Sequence, residues 1–192
     1  MNLFFSYFAI LCAYLIGSIP AGWLIARAKG IQNIREHGSG TIGATNVARF
    51  LGVHYFFLIF FIDAFKAFGA LWILNKFGFS EKTLFFAAMA LLLGNTRSFF
   101  LQFTGGKGVA TTFGLFLFLF PQLLLVMLPI WLGVLALTRN VGIASSAALF
   151  SAPFAAFFFG SSMLMLLFVA IAAQWSIFLH RENLRAWLQK KQ

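Results

Sequence analysis

Charged residues are scarce in this sequence. Only 9% of its 192 residues are Asp, Glu, Lys or Arg, whereas a soluble globular domain carries roughly 25%. Hydrophobic residues make up 61% of the chain, and the mean hydropathy is +0.93. A chain of this size cannot bury so much apolar surface against itself, so lipid must solvate most of it. The composition excludes an ordinary soluble domain and predicts an integral membrane protein.

Cysteine and acidic residues are also rare. The single cysteine, Cys12, excludes an internal disulfide framework and a cysteine-based metal site. Because it lies in an apolar run, we interpret it as a small buried hydrophobic residue. The sequence has 4 acidic residues and 3 histidines, and with the cysteine they form no cluster with metal-ligand spacing. We therefore expect neither a metal nor another cofactor.

The few charges that are present are mostly basic, which gives a net charge of +10. Nucleic-acid binding is one explanation of such an excess. The basic residues are sparse, however, and apolar runs separate them. The positive-inside rule, helped by anionic lipid or an anionic substrate, explains them better, so we expect no nucleic-acid partner.

Long apolar runs predict the helices. The first run extends from Leu3 to Ala26 with no basic residue ahead of it. That is too long for the hydrophobic segment of a signal peptide and long enough to span a bilayer. The run over 109–138 is interrupted at Pro121 and Pro129, so it is either one kinked helix or two short helices that meet near Pro121. We predict seven helices, at about 2–26, 53–75, 83–101, 106–120, 121–138, 142–159 and 161–179.

The distribution of Lys and Arg separates six spans from seven. Seven spans place 11 basic residues on one side and 2 on the other, whereas six spans divide them 6 against 7. The positive-inside rule favours seven, with the N-terminus outside and the C-terminus in the cytoplasm. The predicted fold is therefore an all-α integral membrane protein that forms one domain over residues 1–192. Eleven residues make up the cytoplasmic set: Arg27, Lys29, Arg35, Arg49, Arg97, Lys107, Arg139, Arg181, Arg185, Lys190 and Lys191.

The first predicted cytoplasmic loop contains the formal pattern G-x-G-x-x-G. A dinucleotide site would need this pattern between a strand and a helix of a parallel sheet, but here membrane spans flank it. Glycine-rich backbone can still turn its N–H groups inward around an anion. Hydroxyl donors and the planar guanidinium of Arg49 add to that capacity. The candidate anion-binding residues of this loop are Gly38, Ser39, Gly40, Thr41, Gly43, Thr45, Asn46 and Arg49.

The second loop, Gly105-Gly106-Lys107-Gly108, precedes a predicted span. It is not a Walker A motif, because Leu101 stands at the first glycine position and Gly108 follows the lysine. Three glycines around one lysine at a helix start nevertheless suit a phosphate group. The alternative is a tight turn in which Lys107 only marks the cytoplasmic side.

Three further polar groups are of interest. Asp63 and Lys66 lie on one face of the second span and are either functional or an internally compensated ion pair between helices. His180 at the end of the last span, near Asn183, is a candidate acid–base or hydrogen-bonding group. A third short polar turn precedes Ser145.

These motifs together resemble the bacterial acyl-phosphate:glycerol-3-phosphate acyltransferase family, of the PlsY type. The resemblance runs in order along nearly the whole chain. Five segments carry it: Ile16-Gly17-Ser18-Ile19-Pro20; Gly38 to Val47 with Arg49; Asp63 with Lys66; Gly105 to Thr111; and His180-Arg181-Glu182-Asn183.

The resemblance implies a seven-helix enzyme of the bacterial inner membrane with its active site facing the cytoplasm. It would transfer an acyl group from acyl phosphate to the 1-hydroxyl of glycerol 3-phosphate, with membrane lipid around it. The His-x-x-x-x-Asp motif of other glycerolipid acyltransferases is absent here, as it is in that family. The implied catalytic residues are Lys107, Arg49, His180 and Asn183. The implied phosphate-binding residues are Ser39, Gly40, Thr41, Gly43, Thr45, Asn46, Gly105, Gly106, Gly108, Thr111 and Ser145.

The sequence departs from the family pattern at Thr41, Asn95 and Gly142, where Asn, His and Ser are usual. Two other functions stay open: a transporter for a phosphorylated or organic anion, and a divergent inactive paralogue. A transporter predicts polar residues along the spans to the far side, but few lie there. The sequence leaves the acyl-chain preference, the general base and the oligomeric state undetermined.

Overall fold

The computed structural model describes residues 2–189. Within that range the chain is helical, apart from turns and one isolated backbone pairing between Ser98 and Thr104, so the all-helical prediction is confirmed. Lys190 and Lys191, which the charge count includes, lie outside the described residues. The helices are α1 Leu3–Ser18, α2 Ala21–Ala28, α3 Ala44–Leu51, α4 Val53–Lys76, α5 Glu81–Thr96, α6 Val109–Leu119, α7 Leu123–Thr138, α8 Val141–Phe158, α9 Met163–Leu179 and α10 Arg181–Gln189.

Two predicted helices differ from the structure in detail. The predicted span 2–26 corresponds to the candidate span Leu3–Ala28, but its helix is interrupted between α1 and α2 at Pro20, which has no N–H to continue it. The run 83–101 ends as a helix at Thr96. Its last apolar residues form a 3₁₀ turn, Phe99–Leu101, in a short hairpin closed by Ser98 and Thr104.

The boundaries of the other helices agree with the sequence-based predictions or decide between the alternatives that they left open. Residues 109–138 form two helices, α6 and α7, separated near Pro121, while Pro129 is accommodated inside α7. The predictions for α4, α8 and α9 are confirmed to within two residues. The short helices α3 and α10 were not predicted, because both lie in polar segments that carry no long apolar run.

The chain forms two compact units, Met1–Leu115 and Phe116–Gln192. In the first unit, α1 packs along α5 with glycine at the contact. A Cβ atom on Gly17 would collide with the backbone of Leu91. Close approach through small residues is the usual way in which helices associate in lipid.

The helices α1 and α5 run parallel. Near the start of both, the Thr83 hydroxyl donates to the Ser6 hydroxyl over 3.3 Å. Near the end of both, Gly17 contacts Leu91. The loops that leave α2 and α5 therefore emerge at the same end of the first unit, as the sequence predicts for two cytoplasmic loops.

In the second unit, α8 packs between α7 and α9. The indole Nε1 of Trp131 on α7 donates to the Ser145 hydroxyl on α8 over 3.2 Å. After α9 the chain bends by 51° into α10. His180 lies at that bend.

Within residues 2–189, three segments are long and apolar enough to cross a membrane: Leu3–Ala28, Val53–Lys76 and Val141–Phe158. A fourth candidate is the bent pair α9 and α10. Seven spans and their orientation stay a prediction.

The packing of α1 on α5 generates the first testable prediction. Gly94→Ala would place a methyl group 2.7 Å from the Ser18 nitrogen and against the backbone of Gly17. Backbone cannot move aside as a flexible side chain can, so we expect a loss of about 1–3 kcal/mol of stability, measured as a lower Tm in detergent. Gly69→Ala is the control, because nothing lies within 4 Å of its added Cβ. Equal Tm values for the two variants would contradict the proposed packing.

Candidate functional site

The first loop is organised around one buried amide. Asn46, in the first turn of α3, has 1% of its surface exposed. Its Nδ2 donates to the carbonyls of Ile34, His37 and Thr41 at 3.3, 3.0 and 2.8 Å. Its Oδ1 accepts from the Ser39 amide at 2.8 Å. These bonds engage its amide inside the loop, so Asn46 orders the loop backbone. Its contact with phosphate stays a prediction.

Glycine is required where this loop closes on Asn46. Gly38 has φ of +60°, and a Cβ atom there would collide with the Asn46 Oδ1. Gly40 also has a positive φ, +68°. Both conformations are costly for residues with a Cβ atom. The glycines therefore let the backbone wrap around the amide, which accounts for two of the three glycines in the sequence pattern.

Several predicted anion-binding groups lie at the start of α3, and Arg49 lies in its last turn. Gly43 is the N-cap and offers no side chain to the free N–H groups of the first turn. The hydroxyls of Ser39 and Thr41 lie 3.2 Å apart beside it. Arg49, one turn after Thr45 on the same helix face, is exposed. Exposed helix N–H groups, hydroxyls and a guanidinium together suit a phosphate.

The second loop is held against the end of α5 by its backbone. The Gly106 amide donates to the Asn95 carbonyl over 3.0 Å. A Cβ atom on Gly105 would collide with that same carbonyl. Gly108, with φ of +79°, then turns the chain into α6. Lys107 is half-buried between these glycines.

Thr111, in the first turn of α6, is fully buried. Among the described residues its hydroxyl has no hydrogen-bond partner. A buried hydroxyl without a partner costs about 1–3 kcal/mol. This position, two residues into the helix that follows the lysine, is consistent with a ligand that supplies the missing bond.

A side chain that the sequence did not single out joins the two loops. The Arg35 Nη1 donates to the Thr104 hydroxyl over 2.8 Å, and its Nε donates to the Asn33 side chain over 3.3 Å. Arg35 and Thr104 are 69 residues apart. No local spacing reveals such a contact, so sequence reasoning had no signal for it beyond the basic character of the loop.

The remaining predicted site residues lie in the second unit. Ser145 is buried, and because its oxygen accepts from Trp131, its own hydrogen is left to be donated. The His180 ring is buried, with Nδ1 2.8 Å from the Ser176 carbonyl. That carbonyl can only accept, so Nδ1 carries the hydrogen. Asn183 packs so closely on Gly142 that a Cβ atom there would crowd the Asn183 amide.

Asp63 and Lys66 form an ion pair with 2.6 Å between the Nζ and Oδ1 atoms. The same ammonium donates to the Ile19 carbonyl at 2.7 Å, at the break between α1 and α2. The structure thus supports the interpretation of an internally compensated pair that also joins two spans.

The first unit therefore has the form of a helical membrane protein with two glycine-rich, basic loops suited to an anion. Comparison with known proteins identifies the family. The glycerol-3-phosphate acyltransferase family model matches residues 7–190. This chain belongs to that family.

Individual relatives agree. A glycerol-3-phosphate acyltransferase of Thermus thermophilus is 44% identical over 92% of this chain and 88% of its own length. One from Aquifex aeolicus is 39% identical over 94% of both chains. The crystal structure of PlsY, an integral membrane glycerol 3-phosphate acyltransferase, in its glycerol 3-phosphate form superposes with a TM-score of 0.91. That match has 37% identity and covers 97% of this chain and 94% of the other.

The arrangement around Asn46 generates the second prediction. Asn46→Asp replaces the donor with an oxygen that faces three carbonyls. We expect faster hydrogen–deuterium exchange over residues 34–46 and a stability loss of about 1–3 kcal/mol. Asn75→Asp, at an exposed position near the end of α4, is the control. Unchanged exchange in the loop would show that Asn46 does not organise it.

Proposed function

We propose that this protein transfers an acyl group from acyl phosphate to the sn-1 hydroxyl of glycerol 3-phosphate. The products are lysophosphatidic acid and inorganic phosphate. Family membership makes the protein an acyltransferase that acts on glycerol 3-phosphate. A solved relative, PlsY, is described in glycerol 3-phosphate and lysophosphatidic acid forms, which are the acceptor and the product of this reaction. The acyl-phosphate donor is our own proposal from the motif resemblance.

The proposal rests on one observation: two loops whose residues suit phosphate binding lie together at one end of the first unit. Arg35 and Thr104 join the loops. Each loop presents glycine-rich backbone and hydroxyls near a helix start together with a cation, Lys107 just before α6 and Arg49 in the last turn of α3. Both proposed substrates carry a phosphate, and one also carries an acyl tail that lipid would solvate. A basic, polar site at a membrane surface fits that pair.

In this proposal the residues of the first unit bind phosphate and stabilise charge. Lys107 and Arg49 neutralise the negative charge that develops on the donor phosphate and carbonyl as the bond breaks. The hydroxyls of Ser39, Thr45 and Thr111 donate to phosphate oxygens. The backbone at Gly40, Gly43, Gly105, Gly106 and Gly108 brings N–H groups close to them.

Residues of the second unit are proposed to act on the acceptor. His180 and Asn183 would orient the glycerol hydroxyls, and Ser145 would donate to a phosphate oxygen. Asn183 contributes an amide that can both donate and accept.

The donor itself is proposed to accept the proton. The acceptor hydroxyl attacks the acyl carbonyl carbon, the bond from that carbon to the phosphate oxygen breaks, and the hydroxyl proton ends on the released phosphate. No side chain then needs to act as general base. This explains why the site residues are chiefly donors and cations.

Location and topology complete the proposal. We propose one domain with seven spans in the bacterial inner membrane, with both loops in the cytoplasm. Aromatic–basic pairs fit a membrane boundary at each end of the first unit. Arg27 lies 5.0 Å above the Trp23 ring near the first loop, and Lys76 lies 5.7 Å above Trp72 at the opposite end of α4.

The third prediction is the direct test of the reaction. Purified protein with palmitoyl phosphate and glycerol 3-phosphate is expected to release phosphate and form lysophosphatidic acid. Lys107→Ala is expected to lower kcat by about 100-fold or more, because the site loses a charge that stabilises the transition state. Lys82→Ala, an exposed lysine at the start of α5, is the matched control. Well-folded protein that is inactive with acyl phosphates of several chain lengths would overturn the proposed donor.

The fourth prediction concerns the proton. His180→Gln is expected to raise KM for glycerol 3-phosphate while the pH dependence of kcat keeps its shape, because the proton passes to the donor phosphate. His54→Gln, an exposed histidine at the start of α4, is the control. An ionisation that governs kcat in the wild type and disappears in His180→Gln would make His180 the base.

A further inference from the structure

The break in the first span leaves backbone carbonyls that need partners. Between α1 and α2 the Ser18 and Ile19 carbonyls lose their regular helical bonds, and the Ile19 carbonyl accepts instead from the nearby Ala21 amide over 3.1 Å. In lipid an unsatisfied carbonyl costs several kcal/mol, and a carbonyl has room for two donors. Further donors from neighbouring elements therefore stabilise a broken span.

Two side chains supply those donors from different helices. The Lys66 ammonium on α4 donates to the Ile19 carbonyl over 2.7 Å. The Ser98 hydroxyl, just after α5, donates to the Ser18 carbonyl over 2.6 Å. In return, the Phe99 amide donates to the Ser18 hydroxyl over 3.3 Å. The break is thus the junction of α1, α4 and the second loop.

The position of Lys66 at this junction is closely defined. Only 9% of its side chain is exposed, and Asp63 one turn earlier compensates its charge over 2.6 Å. A lysine is flexible, but this one is held at both sides, by the carboxylate and by the carbonyl. Its charge is engaged by Asp63 and by the Ile19 carbonyl at the break.

The junction leads directly to the proposed phosphate site. Ser98 pairs with Thr104 across the short hairpin, and Thr104 accepts from Arg35 of the first loop over 2.8 Å. The next residues are Gly105, Gly106 and Lys107. The broken span is therefore connected through Ser98 to the start of the loop that carries Lys107.

We propose that Lys66 is a positioning residue for acyl transfer. By holding the Ile19 carbonyl it fixes the broken first span, and through Ser18 and Ser98 it fixes the loop that presents Lys107. This role rests on the proposed function. It differs from a purely structural ion pair, because it requires Lys66 and Ser98 to act on catalysis through the same junction.

The test uses a neutral double variant, Asp63→Asn/Lys66→Met, so that no unpaired carboxylate is left in the membrane. We expect kcat/KM to fall by about 10-fold or more at a temperature where the protein stays folded. Ser98→Ala is expected to lower kcat/KM as well. The triple variant Asp63→Asn/Lys66→Met/Ser98→Ala should lose no more kcat/KM than the more impaired of the two variants it combines. Loss of either contact already releases the junction, so the second loss adds little.

The control is Thr83→Val, which removes the hydrogen bond to Ser6 at the other end of the same α1–α5 contact. It is expected to lower Tm while kcat/KM stays within about two-fold of the wild type. Two results would overturn the proposal. One is full activity of the folded Asp63→Asn/Lys66→Met variant. The other is strict additivity of its effect with Ser98→Ala.

Hydrogen–deuterium exchange over residues 98–108 separates this proposal from the proposed reaction. We expect faster exchange there in Asp63→Asn/Lys66→Met and unchanged exchange in Thr83→Val. This result is independent of whether the wild type uses acyl phosphate, so an inactive wild type would count against the reaction alone. Unchanged exchange in the double variant would overturn the positioning role. If that variant does not fold, Lys66→Arg, which keeps the cation but moves its donors, takes its place with the same expected direction.

Discussion

Inside lipid every backbone N–H and C=O group needs a hydrogen-bond partner, and the structure of the first unit depends on this requirement. The chain breaks its first span at Pro20, where the Ser18 and Ile19 carbonyls lose their regular helical bonds. Lys66 and Ser98 donate to these carbonyls. Since Ser98 also begins the hairpin that leads to Lys107, the cost of the break is offset by residues that hold the second loop in place. Stability of the span and placement of the loop thus depend on the same few bonds.

Within the first loop, a single buried amide has the corresponding role. Glycine-rich segments are flexible, and a flexible loop binds an anion poorly because it must be ordered first. Asn46 orders this one by bonding three carbonyls and one amide. The glycines allow the positive φ angles that this loop conformation needs, and the hydrogen bonds of Asn46 stabilise that conformation. The N–H groups at the start of α3 are then oriented before any ligand arrives.

Features that depend on a local sequence pattern could be predicted from the sequence. Features that depend on contacts between distant segments could not. Long apolar runs predicted α4, α8 and α9, and the polar motifs supplied the candidate site residues, which stay a prediction. Apolarity could not show that Phe99–Leu101 leaves the helix, since a hairpin in lipid is as apolar as a span. Nor could spacing show that Arg35 reaches Thr104, or that Asn46 is turned into its own loop. Those outcomes depend on packing between segments that lie far apart in the chain.

The structure shows what the residues do at Thr41, Asn95 and Gly142, where the sequence departs from the family pattern. Thr41 contributes to its loop through its carbonyl, which accepts from Asn46, and its hydroxyl lies beside Ser39. Asn95 holds the second loop through its carbonyl, which accepts from Gly106, and every residue type has that carbonyl. Glycine at position 142 leaves space for the Asn183 amide, which a Cβ atom at that position would crowd. The loop contacts of residues 41 and 95 are thus made by backbone carbonyls, which any residue type supplies, and the absence of a side chain at position 142 leaves room for Asn183.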